Sequence, residues 1–152
     1  MVPGLSYLSS LMKNNRYIKL FLRLALASSF LSAVADRFGA WPENVSAWGN
    51  WQSFVAYTAI LNPWSPDPMV PWLAMAATLA ETLLACCLLI GFKTEWAARI
   101  SGVLLLIFAL SMTFSTGIKG PLDYSVFVAS SAGFALSVMK GKFLEIDQWL
   151  QN

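Results

Sequence analysis

PWLAMAATLAETLLACCLLIGF, residues 71–92, carries one charged side chain, Glu81, in 22 residues. A helix of that length rises about 33 Å, against a hydrocarbon layer about 30 Å thick, so the stretch reads as a membrane span. Glu81 lies about 15 Å from the Pro71 end, near the bilayer centre, where a carboxylate costs roughly 2.5–3.5 kcal/mol on insertion scales. It therefore needs a basic partner, a proton or water.

The same apolar character recurs at 17–35, 100–118 and 124–139. Only 12% of the 152 residues are charged and 57% are hydrophobic, whereas an ordinary soluble domain is about 25% charged. The expected fold class is all-α: an integral membrane four-helix bundle, one domain over 1–152. The segment at 124–139 is the shortest, about 24 Å of helix, so its ends must draw on Leu122 and Asp123 or the bilayer must thin. Lys13, Arg16 and Lys19 ahead of an apolar stretch that ends at Ala33-Val34-Ala35 have the outline of a signal peptide. Arg23 interrupts that stretch and three more spans follow, so the first helix is expected to be retained. Lys13, Arg16, Lys19, Lys93, Arg99, Lys140 and Lys142 fall on one side and only Arg37 and Lys119 on the other. The positive-inside rule then gives a multi-pass protein of the cytoplasmic (inner) membrane with both termini cytoplasmic.

The outer loop, 38–70, is long for a helix bundle and crowded with Trp41, Trp48, Trp51, Phe54, Tyr57 and Trp64. Within 46–61, Trp51, Phe54, Val55, Thr58 and Leu61 share one helical face, which predicts a short interfacial helix. It serves either as an aromatic belt or as a lid over a cavity. Small residues at Ala25, Ser29 and Ala33, and again at Ser125, Ala129, Gly133 and Ser137, predict close helix contacts.

The chain has no histidine, which removes the usual ligand for haem and for catalytic metals; no metal site is expected. Cys86 and Cys87 are neighbours in one helix, their Cα atoms about 3.8 Å apart and too close for an ordinary disulfide, so they read as packing residues. A net charge of +2 without a basic patch gives no nucleic-acid surface. What remains is an intramembrane polar group, Arg23, Glu81, Thr78 and Thr82. Arg23 and Glu81 differ in height by about 7 Å on antiparallel helices, but their side chains lean apart, so either a direct bond or a bridging water or polar ligand would fit. A second group, Asp36, Arg37, Lys119, Asp123 and Tyr124, is expected at the outer rim. Arg23 and Arg37, 14 residues apart, fall nearly on one face, which suggests a polar cavity from the rim toward Glu81.

Phe21-Leu22-Arg23-Leu24-Ala25 with Asp36-Arg37-Phe38-Gly39, Ala80-Glu81-Thr82 with Leu89-Ile90-Gly91-Phe92, and Pro121-Leu122-Asp123-Tyr124-Ser125 together resemble the DoxX family of small membrane proteins. That resemblance implies a four-helix bundle and, from its DoxD-type relatives, a membrane subunit of a quinone-linked oxidoreductase working with a partner redox subunit. Quinone is the lipophilic carrier so implied, with Arg23 and Glu81 as donor and proton acceptor in an apolar slot. The competing expectation is a noncatalytic scaffold, assembly factor or small carrier in the lipid bilayer, with room for homo-oligomerisation.

Overall fold

The computed structural model describes the backbone of residues 3–149 and the side chains of residues 15–149. Among these residues the chain is helical without strands. Its elements are α1 (Pro3–Arg37), α2 (Trp51–Leu61), α3 (Val70–Ile90), α4 (Thr94–Thr116), α5 (Lys119–Asp123) and α6 (Val126–Val138). Short 3-10 turns lie at Asp67–Met69 and Ile146–Gln148. Three stretches are long and apolar enough to cross a membrane: Asn15–Arg37, Asp67–Ile90 and Thr94–Thr116. The expected fourth span is instead the 13-residue α6, about 20 Å of helix, too short to cross about 30 Å of hydrocarbon unaided. It lies along α4, its most extensive helix contact.

Local chemistry sets the helix ends. Asn50 caps α2 by accepting from the Ser53 amide at 2.8 Å, and the expected interfacial helix therefore starts at Trp51 rather than at 46. Phe54 and Thr58 on its expected face are buried. α3 stops at Gly91, whose left-handed φ of +71° suits glycine. The Asp147 carboxylate accepts from the Lys93 and Thr94 amides at 2.7 and 2.9 Å. That cap starts α4 six residues before the expected 100, because Glu95 and Arg99 lower the hydropathy of turns that are nevertheless helical.

Leu26, Ala27, Phe30, Leu84, Ala85, Leu88, Ala97, Ala98 and Leu136 form the core where α1, α3, α4 and α6 meet. Of the expected small stripe Gly133 and Ser137 are buried, Ala129 is half-buried, and Ser125, just ahead of α6, is exposed; a Cβ at Gly133 would lie 2.8 Å from Gly102 Cα. The corresponding face of α1 departs from expectation, since Ala25 and Ser29 are exposed and Ala33 is half-buried. α1 uses its arginine face, with Leu26, Ala27 and Phe30, to meet α3. Residues 139–149 then cross the end where α3 stops and α4 begins, making a strap. The two ends of the molecule are thus a strap end and a loop end carrying α2.

Candidate functional site

Glu81 points toward the loop end, where Arg37 reaches down to meet it. Arg37 Nη2 lies 2.8 Å from Oε1 and 2.7 Å from Oε2 of Glu81. Its Nη1 donates to Thr78 Oγ1 at 2.8 Å, and Thr78 in turn donates to the Ala74 carbonyl at 2.9 Å. Both side chains are almost fully covered, at 3% exposure for Arg37 and 2% for Glu81. The same lean of helical side chains that separates Arg23 from Glu81 brings Arg37 to it: α1 and α3 run antiparallel, so Arg37 leans inward from the loop end and Glu81 outward.

α2 and the loop before it roof the pair. The Phe54 ring centroid is 3.9 Å and the Trp48 centroid 5.4 Å from Arg37 Cζ, within the range of cation–π attraction. Trp48 packs edge-on to Phe54 at 5.1 Å and against Tyr57 at 5.9 Å. Partial burial pushes the Tyr57 phenol above its ordinary value, and Tyr124 adds to the shift. Asp36, adjacent to Arg37, turns the other way. Its carboxylate accepts from the Ser46 hydroxyl and from the Ala47 and Trp48 amides, the latter two at 2.9 Å. Two neighbouring residues at the end of α1 therefore hold the roof and the floor.

Two groups keep unused bonding capacity. Arg37 Nε and Glu81 Oε2 are buried without a hydrogen bond of acceptable geometry, although Oε2 is in ion-pair contact with Nη2. Removing either partner of such a pair typically costs about 3–5 kcal/mol, because the other is left charged in a dry site.

Arg23 belongs to a different centre. Its Nε donates to the Leu88 carbonyl at 2.9 Å, Nη2 to Leu89 at 3.1 Å, and Nη1 to Phe143 and Leu144 at 3.0 Å. Glu145 lies 3.6 Å from Nη1 and 2.9 Å from Lys19 Nζ. Arg23 thus closes the C-terminal end of α3 and ties down the strap. Gly91 allows that approach, since a Cβ would fall 2.6 Å from Glu145 Cα and 2.7 Å from Arg23 Nη2.

The expected Arg23–Glu81 group is accordingly split, with Leu26, Ala27, Phe30, Leu84 and Ala85 packed between its members. The polar cavity expected along α1 is filled by this apolar plug, and the slot in which Arg23 and Glu81 would share a quinone headgroup is not formed. Thr78 joins Glu81, whereas Thr82 donates to the Thr78 carbonyl at 2.7 Å. The rim cluster disperses too. Lys119 and Asp123 pair only with each other, well exposed, a contact of little energetic weight, and Tyr124 is exposed. A groove of about 410 Å³ lies between the α2 exit and α4, lined in part by Leu61, Trp64, Ile107, Leu110 and Phe114; neither Glu81 nor Arg37 lines it. Among the described residues no group of three His, Cys, Asp or Glu could hold a metal ion.

Residues 15–121 match the family model described as methylamine utilisation protein MauE. The chain belongs to the MauE family. The resemblance to DoxX is thereby corrected: the three- to five-residue motifs behind it record a mid-helix arginine that closes the end of α3, a buried glutamate and a glycine helix stop, which small helical membrane proteins of more than one family can share. The MauE match includes the Arg37–Glu81 pair and its roof and leaves out α6 and the strap. No curated protein and no solved structure gives a match.

Proposed function

We propose that the chain is a noncatalytic accessory protein of the cytoplasmic membrane that serves methylamine utilisation by assembling or stabilising another component. The family description supports the pathway. One observation supports the accessory role: the charged side chains buried within the spans, Lys19, Arg23, Asp36, Arg37 and Glu81, are all engaged by the chain itself. A general acid or base must face the reactant with a proton site available, and these groups are turned onto partners within the chain. The strap end, with Arg16, Lys19, Lys93, Arg99, Lys140 and Lys142, faces the cytoplasm in this reading.

Deletion of the gene, with growth on methylamine or on ammonium as the nitrogen source, tests the proposal. Loss of growth on methylamine alone, restored by the wild-type gene, is the expected outcome, together with no methylamine consumption by the purified chain in nanodiscs. Unaffected growth, or turnover by the isolated chain, would overturn it.

A further inference from the structure

The Arg37–Glu81 pair is built like a receptor for a cation. Three acceptor oxygens, Oε1 and Oε2 of Glu81 and Oγ1 of Thr78, gather at the guanidinium tips within 2.8 Å, while the rings of Phe54 and Trp48 cover the cation face. The contact is not the two-nitrogen fork that arginine usually presents to a carboxylate. A single nitrogen, Nη2, meets both carboxylate oxygens, Nη1 goes to the threonine, and Nε is left unpartnered. An ammonium group, a compact charge with three N–H donors, matches three gathered acceptors at least as well as this guanidinium does. Its carbon would lie against the aromatic roof. Arg37 is the last residue of α1, followed by Phe38 and by Gly39 in a left-handed turn at φ +71°. Its withdrawal toward the loop end would displace the Phe54–Trp48 roof but would unwind no span.

We propose that Glu81, Thr78, Phe54 and Trp48 form a binding site for a primary alkylammonium ion, a site that the Arg37 side chain fills as a tethered competitor. The choice of methylammonium as probe rests on the methylamine reading above. The same chemistry is carried by a free amine and by the ethanolamine headgroup of a phospholipid. Quaternary ammonium ions lack N–H donors and bind more weakly at such a site.

Equilibrium dialysis of labelled methylammonium against the full chain in phosphatidylcholine nanodiscs is the test. The expected result is one saturable site, weakened about tenfold or more by Glu81→Gln through loss of a charge-assisted contact. Arg37→Ala, which removes the competitor, should tighten the binding that the wild type already shows; a purely structural ion pair would show none in the wild type. If Arg37→Ala fails to fold, Phe54→Leu keeps an apolar roof and should weaken methylammonium binding in a chain that still unfolds cooperatively. Adding phosphatidylethanolamine separates the sources: competition and co-purified lipid that Glu81→Gln loses identify the headgroup, and undiminished methylammonium binding identifies the free amine. Absence of saturable binding in the wild type, or binding indifferent to both Glu81→Gln and Phe54→Leu, overturns the proposal. A growth defect on methylamine without such binding would sink this site and leave the accessory role standing; binding without a growth defect would do the reverse.

Discussion

Arg23 and Arg37 occupy one face of one helix yet do different work. Arg23 spends its donors on four backbone carbonyls, a fan that only a guanidinium can cover. Arg23→Lys keeps the charge but brings three donors to four carbonyls and leaves at least one unpaired, so the substitution should cost about 1–3 kcal/mol. Chemical unfolding in detergent measures this, and proteolysis within 139–149 should quicken in parallel; unchanged stability would remove Arg23 as the strap's anchor. At the loop end, Asp36→Ala takes away the acceptor for the Ser46 hydroxyl and the Ala47 and Trp48 amides. A cost of about 1–3 kcal/mol is expected, with tryptophan emission shifted to the red as Trp48 meets water. Glu81 stood out in the sequence because a lone carboxylate in an apolar run is conspicuous. Its partner did not, because the height of Cα atoms favoured Arg23 and only the lean of the side chains selects Arg37. Glu145, 122 residues from Arg23, left no local signal at all.

Among the elements, periodicity and hydropathy gave α1, α3 and the inward face of α2, and Gly133 and Ser137 marked a close helix contact without naming α4 as its partner. Helix boundaries followed less well. α4 begins where Asp147, more than fifty residues later, supplies its cap, and α5 is a five-residue turn of helix that no window of hydropathy resolves. The stripe at Ala25 and Ser29 is as small as that of α6 but stays exposed, since a small face permits a close contact without supplying one. The α4–α6 crossing therefore makes a sharp comparison between two glycines. Gly133→Ala would set a Cβ 2.8 Å from backbone atoms of Gly102, whereas at Gly120 the nearest atom is the flexible Met112 methyl at 3.5 Å. Gly133→Ala should destabilise by about 1–3 kcal/mol and Gly120→Ala by less than about 1 kcal/mol. Equal effects in thermal unfolding would contradict the tight crossing.

At the scale of the whole molecule, two charge centres sit at opposite ends with an apolar plug between them. Lys19, Arg23 and Glu145 tie the strap end, and Arg37 and Glu81 with their aromatic roof close the loop end. Cysteines placed at Val45 and at Lys140 should accordingly label from opposite faces of sealed vesicles; labelling from one face would break the end-to-end arrangement. Pairing between residues far apart in the chain is where reading the sequence stops, because composition shows that a buried charge needs a partner and not which one it takes. The most direct measurement is a pair of double-mutant cycles on unfolding free energy, Arg37→Met with Glu81→Gln and Arg23→Met with Glu81→Gln. The expected result is a coupling of about 1–3 kcal/mol for Arg37 with Glu81, and additivity within about 0.5 kcal/mol for Arg23 with Glu81. Coupling of Glu81 to Arg23 together with none to Arg37 would contradict the separation of the two centres, and with it the roofed cation site.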